Sequence, residues 1–274
     1  MLTIESTVEL LNGVAMPRLG LGVWRAQEGE ETERAVSAAL RAGYRLIDTA
    51  SLYQNEASVG RAIRASGIPR EQIFVTTKVW NDEQGYDNTK RAFHASLNRL
   101  GMDYVDLYLV HWPVPGKYKE TYRAIEDLYE EGLIRAIGVS NFKIHHLEDL
   151  MSSCRVKPMV NQVELHPLLT QKELVAFCRE EGIQVESWRP LMHGRLDLPL
   201  LQELAGKYGK TPAQIVIRWH LQHGLVTIPK SVREERIVEN SRVFDFALSD
   251  DDMARIDGLN RDHRFGMDPD HIEG

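Results

Sequence analysis

Four residues of this chain carry groups that could move protons together: Asp48, Tyr53, Lys78 and His111. They supply a carboxylate, a phenol, an amine and an imidazole, and each lies at or just beyond the end of an apolar run. The runs are residues 44–50, 73–78 and 105–111. A parallel barrel gathers the ends of its strands on one face, so these side chains could share one pocket. The pattern predicts an enzyme.

The elements that would position these residues alternate along the chain. Eight apolar stretches predict strands, at residues 19–24, 45–49, 73–79, 105–112, 135–140, 159–165, 184–188 and 225–229. Helical spacing lies between them at residues 31–42, 87–100, 118–131, 171–181 and 211–223, and glycines stand where helices should end, at Gly43, Gly101, Gly132 and Gly182. Strict alternation predicts an α/β fold, a (β/α)8 TIM barrel, with an open doubly wound sheet as the alternative.

Both ends of the chain lie outside this alternation. Asn12 and Gly13 are typical of a type I′ turn, which predicts an N-terminal β-hairpin over residues 9–15. Residues 261–274 are polar without clear periodicity and predict a short C-terminal tail over the surface. No linker or low-complexity stretch divides the chain, so we expect a single domain over residues 1–274.

Composition is that of an ordinary globular protein. Of 274 residues, 43% are hydrophobic and 27% charged, and the net charge of -7 argues against a nucleic-acid-binding surface. No run approaches the ~20 apolar residues of a membrane span, and residues 1–12 do not resemble a leader, so we expect a cytoplasmic protein without membrane contact. Cys154 and Cys178 fit neither a disulfide framework nor a metal site, so we expect free thiols and no bound metal.

Several motifs resemble those of the aldo-keto reductases. They are IDTASLYQNE at 47–56, TTKVW at 76–80, DLYLVHWP at 106–113, IGVSNF at 137–142, VNQVELHP at 160–167 and IPKSV at 228–232. They follow the family's order over nearly the whole chain, and the length and short tail are similar to the bacterial 2,5-diketo-D-gluconate reductase branch. The resemblance implies NADPH-dependent reduction of aldehydes and ketones.

The chemistry of carbonyl reduction requires the same residue types, to which the family assigns these roles. Hydride addition leaves negative charge on oxygen, so a proton donor must act as that charge develops, and Tyr53 is the predicted donor. A free phenol has a pKa of about 10, which a nearby ammonium on Lys78 would lower. Asp48 would keep Lys78 charged by ion pairing, and His111 would orient and polarise the carbonyl group.

Each of the four residues also has a structural interpretation. Asp48 and Lys78 could form an ion pair at the barrel rim without catalysis. Tyr53 could cap the core, and His111 could be a hydrogen-bonded packing residue. Their co-occurrence at the ends of successive strands favours the functional interpretation.

The sequence argues against a cofactor site of the Rossmann type, because the segment LGLGVW at 19–24 lacks the third glycine and the following helix start. The chain instead leaves the eighth strand and enters a helix within residues 230–240. Backbone amides at that helix start, with Lys230, Ser231 and Arg236, would bind an adenosine 2′-phosphate. We therefore predict NADPH over NADH, the alternative being an exposed helix with surface ion pairs.

The resemblance implies further contacts to the cofactor. Glu239 and Asn240 would lie near the adenine amino group, and Arg233 would stack on the adenine face. The other residues of this set are Gly22, Leu191 and Val232, then Ser140, Asn141 and Gln162 at the nicotinamide carboxamide, and Trp188 stacked on the nicotinamide ring. Singly, these residues could be ordinary strand-end polar groups or core aromatics.

Arg189 departs from the family pattern, which commonly has a small residue beside the cofactor pyrophosphate. Our hypothesis is that Arg189 adds a diphosphate contact or closes over that group. A side chain that points to solvent is the alternative.

The substrate pocket is predicted from three tryptophans at strand ends. Trp24, Trp80 and Trp112, with His111, could wall an apolar pocket, although tryptophans at such positions often simply cap a core. Short loops suggest an open pocket that accepts methylglyoxal, short aldehydes and keto-sugar acids. We expect a monomer.

Two other functions compete with the reductase. A barrel glycoside hydrolase needs two carboxylates, which Glu164 and Glu186 could supply, but it leaves Tyr53 and Lys78 unexplained. A non-catalytic NADPH-binding module that senses redox state, or serves as a channel-associated subunit, is the second, and turnover distinguishes it from an enzyme.

Overall fold

The computed structural model describes residues 1–272 of the chain. The strands are β1 (Thr7–Glu9), β2 (Ala15–Pro17), β3 (Leu21–Gly22), β4 (Leu46–Asp48), β5 (Phe74–Val79), β6 (Val105–Val110), β7 (Ile134–Ser140), β8 (Val160–Glu164), β9 (Gln184–Trp188) and β10 (Val226–Thr227). The α-helices are α1 (Glu30–Arg41), α2 (Glu56–Ala65), α3 (Tyr86–Leu100), α4 (Tyr118–Glu130), α5 (Ile144–Met151), α6 (Lys172–Glu181), α7 (Pro199–Tyr208), α8 (Pro212–Gln222), α9 (Glu234–Ser241) and α10 (Asp250–Asp257).

The strands from β3 to β10 form one parallel sheet in chain order. Parallel bridges from Leu19 to Thr227 and from Gly22 to Lys230 join its first and last strands, which closes the sheet into a barrel. The predicted (β/α)8 fold is therefore confirmed, and the doubly wound alternative is wrong. Parallel strands end on the same side, so Asp48, Ser140 and Trp188 all stand at one mouth of the barrel.

Local sequence explains where the helices end. The four glycines expected at helix ends all have positive φ, from 65° at Gly101 to 100° at Gly43, a region that side chains with a Cβ rarely adopt. At the start of α8, Thr211 and Gln214 bond reciprocally through side chain and backbone and cap the helix.

The N-terminal hairpin is confirmed, but its turn is not of type I′. Gly13 has φ 86°, whereas Asn12 is not among the residues with positive φ, and the backbone bond from Leu10 N to Val14 O at 2.9 Å closes a three-residue loop. The Asn12 side chain accepts from Val14 N at 3.2 Å and donates to Arg135 O at 2.9 Å. These bonds hold Asn12 outside the left-handed region that type I′ requires.

A continuous hydrophobic core extends from Leu10 to Ile256. The single domain over residues 1–274 stays a prediction, and positions 273 and 274 lie outside the described residues. Cys154 and Cys178 are free thiols. No helix within residues 1–272 has the length and hydropathy to cross a bilayer.

The C-terminal tail does more than lie over the surface. The backbone N–H groups of Phe265 and Gly266 donate to the two carboxylate oxygens of Glu164 at 2.8 and 2.9 Å. Farther on, Ile272 is buried against Trp112 and Val114. The apolar residues of the tail are irregularly spaced, so the sequence carries no periodic signal for this packing.

Candidate active site

A pocket of about 1410 Å³ opens at the carboxyl ends of the barrel strands and extends to α9. It contains every residue predicted for catalysis or binding except Lys78, which lies buried below. The residues that line it include Asp48, Tyr53, His111, Gly22, Ser140, Asn141, Gln162, Trp188, Arg189, Leu191, Lys230, Ser231, Val232, Arg233, Arg236, Glu239, Asn240, Trp24, Trp80 and Trp112. The fold thus gathers residues that are far apart in sequence.

Lys78 organises the catalytic end of the pocket. Its Nζ donates to Asp48 Oδ2 at 2.7 Å, to Thr49 O at 3.0 Å and to the Tyr53 hydroxyl at 3.2 Å. An ammonium has three protons, so these bonds use all of them. Burial alone would lower the pKa of Lys78, but Asp48 and Tyr53 outweigh it and raise the pKa, so the amine stays charged.

The Tyr53 oxygen accepts from Lys78, so the phenol's own proton is not used in that bond. Tyr53 belongs to the short 3-10 helix Ser51–Tyr53, which follows β4 and turns the ring over Lys78. Burial raises the pKa of Tyr53, and Lys78 opposes that rise. Lys78 does lower the pKa of Tyr53, as expected from the sequence. The net shift of that pKa is nevertheless upwards, because the pocket excludes water from the phenol.

His111 stands on the other side of Tyr53 and is packed edge-on by aromatic rings. Its ring centroid lies 5.9 Å from that of Tyr53 and 5.0 Å from that of Trp80. Burial, with Lys78 nearby, lowers its pKa well below the usual value, so the imidazole is neutral. Its Nδ1 is buried and has no hydrogen-bond partner within residues 1–272. A proton there would be unsatisfied, which places the ring proton on Nε2.

The predicted carboxamide site is a connected polar cluster. Ser140 Oγ donates to Gln162 O at 2.7 Å, and Asn141 Nδ2 donates to His111 O at 3.0 Å. The Trp188 indole N–H donates to Asn141 Oδ1 at 2.8 Å and fixes the indole plane at the pocket wall. Gly266 lies so close to Trp188 that a Cβ there would come within 2.7 Å of the ring.

Arg189 lies between the two ends of the pocket. Its guanidinium carbon is 5.1 Å from the Trp24 ring centroid and 5.2 Å from that of Trp188. Its φ of 54° is left-handed, directly after the end of β9. Burial lowers the pKa of Arg189, with a further contribution from Arg25. Arg189 thus lies half-buried at the pocket wall, and its contact with a diphosphate stays a prediction.

The other end of the pocket is charged and exposed. Lys230 is exposed, and Arg233 pairs with Glu235 at 2.9 Å between two largely exposed side chains. The Ser231 hydroxyl accepts from Arg233 N at 3.1 Å just before α9 begins. Opposite them, a Cβ on Gly22 would come within 2.9 Å of the backbone oxygen of Ile228, just beyond β10, so only glycine fits there. A long pocket that ends in these cations fits a phosphate-bearing dinucleotide.

Sequence reasoning did not find several residues of the pocket. They include Arg25, Leu52, His193, Gly194, Leu196, Asp197, Thr211, Pro212, Ala213, Phe265, Gly266 and Met267. Most lie on loops, in short 3-10 helices or on the tail, and Pro212 and Ala213 begin α8. Neither periodicity nor a motif marks a contact at these positions. Among them, Arg25, His193 and Asp197 have ionisable side chains.

The competing glycoside hydrolase does not fit the structure. Neither Glu164 nor Glu186 lines the pocket, and both are fully buried. Glu164 is occupied by two tail amides and by His166 Nε2 at 2.8 Å.

One group of potential metal ligands occurs among residues 1–272, formed by His145, His146 and Asp270. Lys143 Nζ lies 2.6 Å from Asp270, and the Lys143 N–H donates to His146 Nδ1 at 3.0 Å. The Nδ1 lone pair is therefore used, so a metal at Nε2 of the same neutral ring would leave no position for the ring proton. The chemistry of this group does not favour a metal.

Comparison with known proteins gives consistent relatives. The model of the aldo/keto reductase family matches residues 18–261. A glyoxal reductase of Bacillus subtilis is 55% identical over 271 residues, covering 98% of each chain. The methylglyoxal reductase DkgA of Salmonella typhimurium is 50% identical over 272 residues, covering 97% of this chain and 98% of its own.

Solved structures agree with these relatives. A Gox0644 mutant in complex with NADPH superposes with a TM-score of 0.92 at 46% identity, covering 98% of each chain. An aldo-keto reductase of Bombyx mori in complex with NADP superposes with a TM-score of 0.88 at 38% identity, covering 96% of this chain and 95% of its own.

Proposed function

Because this chain belongs to the aldo/keto reductase family and is an NADPH-dependent oxidoreductase, we propose that it reduces small aldehydes and ketones with Tyr53 as proton donor. The observation that carries the proposal is the saturation of Lys78 by three acceptors, one of which is the Tyr53 oxygen. The phenol therefore accepts from the ammonium and keeps its own proton for donation into the pocket.

Bound NADPH supplies a hydride to the carbonyl carbon. His111, neutral and protonated on Nε2, donates to the carbonyl oxygen and orients it. Tyr53 gives its proton to the same oxygen as negative charge develops, and the Lys78 ammonium stabilises the phenolate that remains. Asp48 keeps Lys78 charged, and solvent returns a proton to Tyr53 after the alcohol leaves.

The pocket offers a position for each part of the cofactor. Lys230 and Arg236, with Ser231 and the amides before α9, would hold the 2′-phosphate and favour NADPH over NADH. Arg233 would stack on the adenine face. Trp188 would stack on the nicotinamide ring. The remaining contacts fall to Ser140, Asn141 and Gln162 at the carboxamide, Glu239 and Asn240 at the adenine, and Gly22, Leu191 and Val232 along the pocket floor.

The substrate would bind beside His111 against Trp24, Trp80 and Trp112. This aromatic wall favours small carbonyl compounds with apolar surface, and two relatives named for glyoxal and methylglyoxal reduction support α-oxoaldehydes as substrates. Keto-sugar acids stay a prediction from the sequence, as does the monomeric state.

The test is the rate of NADPH oxidation with glyoxal, methylglyoxal and a diketo-sugar acid, with NADH in parallel. We expect turnover with the two oxoaldehydes and faster turnover with NADPH. A preference for NADH would contradict the phosphate site and leave the reductase intact. Tight NADPH binding without turnover of any carbonyl would instead favour the non-catalytic module.

A further inference from the structure

Glu186 is a buried carboxyl group that the reaction does not use directly. It lies on β9, is fully buried, and faces Gln162, its register partner on β8. The side-chain nitrogen of Gln162 donates to Glu186 Oε1 and, at 2.7 Å, to Asp48 Oδ1. An amide group has two N–H protons, and both are used below the pocket floor.

Two acceptors on the same side fix the rotation of an amide. If the Gln162 amide turned by half a revolution, its oxygen would face the carboxyl oxygens of Asp48 and Glu186, and two hydrogen bonds would be lost. Its oxygen therefore lies on the pocket side, where it accepts no hydrogen bond from residues 1–272. Asp48 alone would hold the amide less firmly because its other oxygen already accepts from Lys78.

We propose that Glu186 is a positioning residue which, with Asp48, holds the Gln162 amide so that its oxygen accepts a hydrogen bond from the nicotinamide carboxamide. The proposal rests on the proposed function, since it requires a nicotinamide cofactor at Gln162. Glu186 does not touch the cofactor, and its effect passes through the orientation of one side chain.

The protonation of Glu186 is compatible with this role. Burial, and then the charge of Asp48, raise the pKa of Glu186 to about 8, so the group is mostly neutral at pH 7. A neutral carboxyl group still offers its carbonyl oxygen to Gln162 without adding negative charge beside Asp48 and Lys78. Ionised Glu186 would raise the pKa of Tyr53 and weaken it as an acid.

The experiment compares two variants with two cofactors. Glu186→Gln keeps an acceptor for Gln162, whereas Glu186→Met has similar volume and no oxygen. Dissociation constants are measured from the quenching of tryptophan fluorescence with NADPH and with its 3-acetylpyridine analogue. The analogue carries a methyl ketone instead of the carboxamide and cannot donate to Gln162.

We expect wild type and Glu186→Gln to bind NADPH equally well and Glu186→Met to bind it about three to ten times more weakly, which corresponds to one hydrogen bond. All three proteins should bind the analogue alike. In a Gln162→Met background, the change Glu186→Met should no longer affect the NADPH dissociation constant.

Two results would overturn the proposal: unchanged NADPH binding in Glu186→Met, or an equal loss of affinity for both cofactors, which would mean a purely structural role. If Glu186→Met does not fold, the comparison of Gln162→Met with wild type on both cofactors, together with normal NADPH binding by Glu186→Gln, decides the matter. Loss of NADPH affinity in Glu186→Gln would contradict the acceptor role. If wild type binds no NADPH, the proposed function itself fails.

Discussion

The two ends of the pocket are built differently. At the catalytic end, Asp48 and Lys78 are buried, and the protein itself satisfies the ammonium. At the phosphate end, Lys230 and Arg233 are exposed, and the guanidinium of Arg233 pairs with Glu235 on the same short segment. The strands fix the catalytic end in place, while the phosphate end depends on exposed surface charges.

Because of this contrast, the catalytic end is preorganised and the phosphate end is not. Buried dipoles and charges that are already oriented cost little reorganisation during a reaction, which suits the catalytic end. Exposed charges are screened by salt and adopt one geometry only when a partner binds. Substitutions at the catalytic end should therefore affect kcat and stability, and substitutions at the phosphate end should affect cofactor affinity.

The largest effect should come from Tyr53→Phe, which removes only the hydroxyl group. We expect kcat to fall about 10²- to 10⁴-fold, the usual contribution of a positioned general acid, with an unchanged NADPH dissociation constant. Single-turnover kinetics and fluorescence titration measure the two quantities. A variant that keeps most of its turnover would show that another group donates the proton.

Lys78→Met should be strongly destabilising because it leaves Asp48 buried without its partner. We expect a loss of about 3 to 5 kcal/mol in the free energy of unfolding by urea, partly recovered in the double variant with Asp48→Asn. Lys207→Met is the matched control, since that half-exposed ammonium also bonds a carboxylate, on Asp252 at 2.6 Å. The control should lose much less, because solvent screens that ammonium. Equal losses in the free energy of unfolding of Lys78→Met and Lys207→Met would contradict the view that the buried catalytic end differs from exposed ion pairs.

Glu186 should make stability depend on pH. Its pKa is raised to about 8 in the folded protein, so folding favours the protonated form. This contribution is fully present below the unfolded pKa of about 4.5 and is lost as pH rises through 8. Relative to Glu186→Gln, which does not titrate, wild type should lose on the order of 3 kcal/mol between pH 5 and about pH 8. Parallel stability curves for the two proteins would contradict a raised pKa.

At the phosphate end, Arg236→Gln should raise the NADPH dissociation constant about tenfold and leave that of NADH unchanged. The effect should shrink at high salt, because the site is exposed. Arg242→Gln is the control: this exposed arginine follows α9 but does not line the pocket. An equal loss in both variants would mean that general charge, and not a phosphate contact, sets the affinity.

The smallest effect should come from Arg189→Ser, between the two ends. We expect NADPH to bind about three times more weakly if the guanidinium contacts the diphosphate, since charge-assisted bonds at partly exposed sites are modest. The cofactor-free protein should also change its tryptophan fluorescence, because the guanidinium leaves Trp24 and Trp188. An unchanged NADPH dissociation constant would remove the proposed diphosphate contact.

The sequence allowed the barrel and much of the site to be predicted, for a physical reason. Parallel strands end on one face, so Asp48, Lys78 and His111 could be placed together from strand ends alone. The sequence did not show the net rise in the pKa of Tyr53, because burial depends on the finished pocket.

At Glu186, the sequence indicates only a possible hydrolytic carboxylate, because the contact with Gln162 depends on the register of two strands, which spacing does not reveal. The tail was missed for a similar reason. Its attachment to Glu164 uses backbone N–H groups, which every residue except proline has.

The bridge between Gly22 and Lys230 determines when the barrel can close during synthesis. The first barrel strand emerges early from the ribosome and must wait for the last one before its edge is paired. The same junction carries the lysine proposed to hold the phosphate of NADPH. Where free NADPH is kept at about a hundred times its dissociation constant, binding would add about 2.7 kcal/mol to the free energy of unfolding of the completed barrel alone. NADPH would thus stabilise only those chains in which the first and last barrel strands have already paired.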